Sequence, residues 1–193
     1  GIRDSSVTGV QTCALPIYRL GELHLEPRGY HLVVARFEPE NHVLDAVQDF
    51  HGSTETRPLV VVGSAPYAQW YVDQVRAEAR QDPRIRFTGS IWDQGLLDQL
   101  YANCITYTHG HAVGGTNPSL LRAMGAGAPV LGFDVEFTHE VTAEQAIFWE
   151  DADSLREIFD AVAAGRHESR LEELRVLGQR RIRAAYQWDA VAD

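Results

Sequence analysis

The sequence predicts an α/β fold: a doubly wound parallel sheet with helices on both faces and a closing helix at the carboxyl terminus. Three observations predict it. From Tyr30 onward, short β-branched runs alternate with segments of helical periodicity, the order of repeated βαβ units. The runs are apolar along most of their length rather than at every second residue, as strands covered on both faces must be. The joins after the strands are rich in Gly, Pro, Ser and Asn, residues that turn a chain or start a helix.

The first strand is YHLVVA (30–35), after which Pro39 opens a helix whose Val43, Leu44, Val47 and Phe50 share a face. LVVVG (59–63) is the second strand. The helix after it starts at Pro66, with Tyr67, Trp70, Tyr71 and Val75 as a stripe expected in the core. IRFTG (85–89) leads to a helix over 93–103, with Asp93 as N-cap and Leu96, Leu97, Leu100 and Tyr101 facing inward. ITYTH (105–109) is the fourth strand, and Asn117 and Pro118 then cap and open the next helix. PVLGFD (129–134) and AIFW (146–149) complete six strands. Ser154 begins SLREIFDAVAAG, with Asp153 or Ser154 as its cap, Leu155, Ile158, Phe159 and Val162 inward and Gly165 as its stop. A last helix covers 168–186, with Leu171, Leu174, Ile182 and Ala185 on one stripe. Arg170, Arg175, Arg180, Arg181 and Arg183 are expected on its solvated face.

The length of 193 residues suits one domain, residues 18–166, carrying 167–193 as its carboxyl-terminal helix. With 45% hydrophobic and 23% charged residues, the composition is that of a soluble globular protein. No apolar run approaches the roughly 20 residues of a membrane span. The formal net charge of −10 opposes nucleic-acid binding, which rests on excess Lys and Arg. Cys13 and Cys104 make no metal-spaced pair and fit a reducing cytoplasm. Residues 1–17 have no initiating Met, no signal-peptide pattern and no sustained periodicity. They resemble translated sequencing-adaptor sequence and read as a non-native or disordered tail, so the chain is expected to be a fragment of a longer protein.

The segment most informative about function is GGTNPSLLRAMGAGAPVLGF (114–133). Gly114 and Gly115 let a ligand approach the backbone, Asn117 caps, and Pro118 occupies the first helical turn, where its missing N–H costs nothing. Several unpaired backbone N–H groups, among them those of Gly115, Thr116 and Asn117, and a macrodipole of roughly +0.5 charge make such a helix start an anion pocket. On this pattern alone, an ordinary capped helix without a ligand stays open. In an open parallel sheet, ligands bind beyond the carboxyl ends of the strands. The loops gathered there are RFEPEN (36–41), GSAPY (63–67), SIWD (90–93) and GHAVGGTNPS (110–119). They describe a phosphate-sized site edged by Arg36, with Gly63 and Ser64 beside it.

VVARFEPEN (33–41), PLVVVGSAPY (58–67), HGHAVGGTNPSLLRAMGAGAPVLGFDV (109–135) and YQWDAVAD (186–193) occur in the order found in one family. From about Tyr18 onward the chain resembles the carboxyl-terminal, Rossmann-like, nucleotide-sugar-binding half of retaining GT-B glycosyltransferases, in their rhamnosyltransferase-type branch. The resemblance implies transfer of a hexosyl or deoxyhexosyl group from a nucleoside diphosphate to an acceptor hydroxyl in cell-surface polysaccharide synthesis. It implies no cofactor and no catalytic metal. The acceptor, a glycan or lipid-linked sugar, would be bound by an amino-terminal domain. The location implied is cytoplasmic, peripheral at the inner membrane face, and the fragment by itself would be inactive.

Carried over by position, the resemblance places Arg36, Gly114, Gly115, Thr116, Asn117 and Ser119 at the donor diphosphate. Asn41, Gly63, Ser64, Trp92, His109 and His111 are candidate contacts along the cleft; Trp92, in the loop 90–93, reads either as a stacking partner for the base or as buried core. Asn41 stands where typical members have a Lys. Gly114 and Arg122 stand where they have two glutamates, the second of which accepts hydrogen bonds from ribose hydroxyls, whereas Arg122 can only donate. Arg122 lies four residues past Pro118 on the same helical face, so its guanidinium is expected to reach a diphosphate oxygen in place of the absent Lys, a bond of about 1.5–3 kcal/mol. Loss of the ribose carboxylate favours a donor without a 2′-hydroxyl, a dTDP-sugar such as dTDP-rhamnose.

No catalytic residue emerges. Asp151 and Asp153 form an acidic pair that precedes a helix, where capping by Asp153 or Ser154 outweighs metal binding, and His109 with His111 lacks a third ligand. Two other functions stay open: a sugar-nucleotide epimerase of related architecture, and a nucleotide-binding module without turnover.

Overall fold

The computed structural model describes residues 18–80 and 82–186. The expectations for residues 1–17, including Cys13, and for 187–193 fall outside them. Six parallel strands form one sheet: β1 (His31–Val34), β2 (Leu59–Val62), β3 (Ile85–Gly89), β4 (Tyr107–His109), β5 (Val130–Phe133) and β6 (Ile147–Trp149). Their order across the sheet is β3-β2-β1-β4-β5-β6, so the chain reverses its direction of winding between β1 and β4. That switch point opens a crevice at the carboxyl ends of the strands.

The helices are α1 (Tyr18–Gly21), α2 (Val43–Gly52), α3 (Gln69–Ala79), α4 (Gln94–Asn103), α5 (Pro118–Ala126), α6 (Glu136–Thr142), α7 (Ala152–Ala163) and α8 (Glu168–Ala185). Successive strand residues point to opposite faces, and the core divides accordingly. Val33 and Val61 pack with Val47, Phe50, Tyr71, Leu155 and Phe159 of α2, α3 and α7. Leu32 and Val60 pack with Leu97, Leu100, Leu120 and Met124 of α4 and α5.

Several expectations are corrected. Pro39–Asn41 is a short 3-10 turn, and α2 begins only after His42, whose φ of 47° breaks the helix. Helix α3 likewise starts at Gln69, three residues after Pro66. Tyr67 therefore lies in the preceding turn and Trp70 faces outward; both are exposed, whereas Tyr71 and Val75 are buried as expected. Asp151, not Asp153 or Ser154, caps α7: its carboxylate accepts the Ser154 N–H at 2.8 Å, and the Ser154 hydroxyl oxygen accepts the Asp151 N–H at 3.1 Å. Arg175 is not on a solvated face. It is buried and donates to the carbonyls of Gly127, Cys104 and Ile105, anchoring α8 to the sheet. Helix α6 was not anticipated, because its seven residues are too few for a periodic signal and no side chain caps its start.

Candidate functional site

The crevice is built by close backbone contact between βα loops. Gly63 ends β2 with φ +138°, and a Cβ there would stand 1.8 Å from the Ala35 carbonyl oxygen at the end of β1. Its N–H donates to Gly89 O at 2.9 Å, and the Ser64 and Ser90 hydroxyls lie 2.9 Å apart, joining the loops after β2 and β3. On the other side of the switch point, a Cβ on Gly110 would stand 2.5 Å from the Asn41 carbonyl oxygen, so glycine lets the loop after β4 nest against the 39–41 turn.

A cavity of about 230 Å³ opens at the carboxyl ends of β1, β2 and β3. Ala35, Arg36, Gly63, Ser64, Trp92 and Ser119 are among its lining residues. It thus reaches from the loop after β3 to the first turn of α5. Trp92 stands 87% exposed at its rim, which excludes a core role for that side chain. The next residue, Asp93, caps α4 by accepting the Leu96 N–H at 3.0 Å and takes both arms of the Arg19 guanidinium at 3.0 and 2.7 Å. These donors hold its carboxyl well below the usual range.

At the α5 start the Asn117 side chain accepts the Ser119 N–H at 2.9 Å, and Pro118 occupies the first turn. Gly114, with φ +104°, Gly115 and Thr116 are exposed, and a Cβ on Gly115 would meet nothing within 4 Å. Backbone amides, the positive end of the helix and open space therefore coincide beside the cavity.

Arg36 brings a cation to this edge. Its exposed guanidinium pairs with Glu38 at 3.2 Å and touches the Tyr67 hydroxyl at 3.5 Å. The Arg36 side of this pair is open to solvent whereas Glu38 is largely buried, and Glu38 keeps the Tyr67 hydroxyl as a donor when Arg36 turns to an anion. Tyr67 makes a very short hydrogen bond to Glu38, which raises the hydroxyl's pKa.

Arg122 is placed differently from expectation. Its Nε donates to Asp98 Oδ1 at 2.6 Å, Nη2 to the Gln94 carbonyl at 3.0 Å and Nη1 to the Gln94 side chain. Helix α4 thus takes up every arm of the guanidinium, and the geometry supplies no free cation from Arg122 to the α5 start. Asn41 is not a rim residue either: it is 7% exposed, and both ends of its amide are used within the protein.

His109 is buried, with Nδ1 3.2 Å from the Tyr107 hydroxyl and Nε2 without a partner among the described residues. Burial pulls its pKa down to about 3, so the ring is neutral. His111 lies closer to the glycine turn, with Nδ1 2.8 Å from Asn41 Oδ1. Among the described residues, no three His, Cys, Asp or Glu side chains are arranged to hold a metal ion, and no helix is long and apolar enough to cross a membrane.

A larger cavity of about 470 Å³ opens at the opposite end of the sheet. Its arginines are already engaged: Arg57 by Glu55, Arg175 by three carbonyls and Arg28 by Glu172. The glycine turn and the open start of α5 lie instead beside the smaller crevice.

A family profile described as "Glycosyl transferases group 1" matches residues 28–184. No curated protein sequence matches the chain. Among solved structures, HepE of Anabaena in complex with UDP is similar, with a TM-score of 0.73 and 18% identity over 86% of this chain and 48% of that one. The carboxyl-terminal domain of the group 1 glycosyl transferase LpcC from Francisella tularensis has a TM-score of 0.72 and 15% identity, over 88% of this chain and 92% of that one. Sucrose-phosphate synthase from Thermosynechococcus elongatus has a TM-score of 0.72 and 20% identity, over 92% of this chain and 48% of that one. The chain thus spans about half the length of HepE and most of the LpcC domain. At these identities the likeness establishes a shared fold, the Rossmann-like domain of GT-B proteins.

Proposed function

The chain belongs to the group 1 glycosyl transferases, and on that premise we propose that it is the donor-binding domain of an enzyme that moves a hexosyl or deoxyhexosyl group from a nucleoside-diphosphate sugar to an acceptor hydroxyl. The observation that carries this reading is the open, Asn117-capped start of α5 at the switch point of the sheet, bordered by the 230 Å³ cavity and by Arg36. A diphosphate fits the N–H groups of Gly115, Thr116 and Asn117, which the protein leaves open ahead of Pro118, and a nucleoside fits the cavity between Ser64, Ser90 and Trp92. The donor is a substrate, and the reaction needs no further cofactor.

During transfer, the bond from the anomeric carbon to the diphosphate oxygen breaks and the acceptor oxygen bonds to that carbon. The acceptor proton passes to the leaving diphosphate or to a base outside this domain. Negative charge grows on the diphosphate, where the amides just ahead of α5, the positive end of that helix and Arg36 stabilise it more in the transition state than in the ground state. The acceptor, a glycan or lipid-linked sugar of cell-surface polysaccharide synthesis, is bound by a partner domain at the cytoplasmic face of the membrane.

For the donor itself we favour dTDP-rhamnose, with retention of anomeric configuration. The sequence has Arg122 where a ribose-binding carboxylate is expected, and thymidine lacks the 2′-hydroxyl that such a carboxylate would hold. HepE, by contrast, was solved with UDP. A calorimetric titration of the chain with UDP, dTDP and dTDP-rhamnose tests both levels. Binding of any nucleoside diphosphate that is lost in Arg36→Ala supports the site, and tighter binding of the dTDP forms supports the donor. Equal affinity for UDP and dTDP contradicts the dTDP preference, and no binding of either contradicts the site.

A further inference from the structure

His111 is held in one tautomer by a chain of bonds that leaves no choice of direction. Asn41 Nδ2 donates to the Arg36 carbonyl oxygen at 2.9 Å, and because a carbonyl only accepts, the orientation of the Asn41 amide is determined. Its Oδ1 therefore faces His111 Nδ1 at 2.8 Å, and since Oδ1 also only accepts, Nδ1 must carry the proton. Burial and the charge of Arg36 lower the pKa of the ring, which favours the neutral form. In a neutral ring protonated at Nδ1, Nε2 carries a lone pair. That atom lies 3.5 Å from the position a Cβ on Gly114 would take, and no described residue satisfies it.

A lone pair at this place selects its partner. The oxygens of an ionised diphosphate are acceptors only, so Nε2 and a phosphate oxygen would repel, and the group that meets Nε2 must donate a hydrogen. The 230 Å³ cavity lies on the β2 and β3 side of the α5 start, whereas His111 lies on the β4 side, against the 39–41 turn. With the diphosphate at the α5 start and the nucleoside in the cavity, the hydroxyl-rich sugar falls on the His111 side.

We propose that His111 reads the donor sugar: Nε2 accepts a hydrogen bond from a hydroxyl of the transferred hexose, and Asn41 is the positioning residue that keeps the ring in the accepting tautomer. This rests on the donor-site reading above. It gives Asn41 a task that a Lys at the same position would not perform, because Lys has no acceptor to hold a protonated Nδ1.

Two measurements on the 193-residue chain test it. The first uses no ligand: imidazole 15N shifts of His111 are expected to show the Nδ1–H tautomer in the wild type and a mixture in Asn41→Ala. An Nε2–H tautomer in the wild type would overturn the proposal. The second compares affinity for a nucleotide with that for its sugar conjugate, using UDP with UDP-glucose and dTDP with dTDP-rhamnose. His111→Ala is expected to lose about tenfold in affinity for the conjugate that the wild type prefers, and less than about twofold for the free nucleotide. His111→Gln, whose Oε1 reaches the place of Nε2 as an acceptor, is expected to retain most of that preference, whereas a merely structural role of the ring would not be rescued in this way. An unchanged preference in His111→Ala, or an equal loss for nucleotide and conjugate, overturns the proposal while leaving the diphosphate site standing. A wild type that binds no nucleotide removes the donor site itself.

Discussion

Gly63 and Ala35 meet so closely at the carboxyl ends of β2 and β1 that any side chain on residue 63 would overlap the Ala35 carbonyl oxygen. This contact forms part of the floor of the proposed nucleoside cavity, since both residues line it.

Gly63→Ala is therefore expected to disturb the cavity as well as the fold. The φ of +138° strains any L-residue, and the backbone must also shift to relieve the contact. Urea unfolding should show a loss of about 1–3 kcal/mol, and calorimetry should show weakened nucleotide binding at a temperature where the variant remains folded.

Arg122→Ala separates the expected role of that residue from the observed one. The Arg122–Asp98 pair is partly solvent-exposed, with a distance of 2.6 Å. Its removal should cost roughly 0–1 kcal/mol in urea unfolding. Because α4 already holds the guanidinium, UDP affinity should change less than in Arg36→Ala; a larger change would restore Arg122 to the diphosphate.

Asp49 is a destabilising group at alkaline pH. Its carboxyl is buried in α2, Oδ2 has no partner among the described residues, and burial together with Asp45, Asp153 and Asp151, against the opposing charge of Arg156, pushes its pKa up to about 8. The folded state then holds a proton that the unfolded state releases near pH 4, so this residue makes stability fall as pH rises between about 4 and 8. Asp49→Asn should remove that slope and stabilise the chain by on the order of 1–3 kcal/mol at pH 8.5, read from urea midpoints across pH.

The buried His31–Glu55 pair acts with the opposite sign. Glu55 accepts from His31 at 3.0 Å, from Arg57 and from two backbone amides, while the Thr106 hydroxyl donates to His31 Nδ1 at 2.7 Å. Burial dominates the His31 pKa and lowers it. Burial alone would raise that of Glu55, but its donors together hold it well below the carboxylate range. Both groups hold fewer protons folded than unfolded, so their contribution is present above about pH 6.5 and is lost as pH falls. Glu55→Gln should lose about 1–3 kcal/mol at pH 7, measured by chemical unfolding.

Much of this fold was legible because local signals sufficed. Leu32 and Val33, or Val60 and Val61, are adjacent apolar residues that a doubly covered strand requires, and Asn117–Pro118 and Asp93 mark helix starts by their own chemistry. The glycine turn was visible for the same reason. Tyr67 and Trp70 misled because apolar residues at helical spacing suggest a buried stripe, yet α3 starts at Gln69, which leaves Tyr67 in the preceding turn and Trp70 on the outer face. The Asp151–Ser154 capping box was readable from its spacing of three and was assigned two residues late. Arg122 and Asn41 were beyond sequence reasoning: their partners Asp98 and His111 lie 24 and 70 residues away in the chain, and only the packing of α4 on α5, or of the 39–41 turn on the loop after β4, brings them together.

The central claim is that a diphosphate sits at the α5 start, and Gly115→Val tests it most directly. A Cβ at residue 115 would meet no protein atom within 4 Å, so the substitution fills only the space assigned to the ligand. In a calorimetric titration with UDP, the account predicts a loss of at least about tenfold in affinity, ~1.4 kcal/mol, with an unchanged urea midpoint. Wild-type affinity in the folded variant would contradict it.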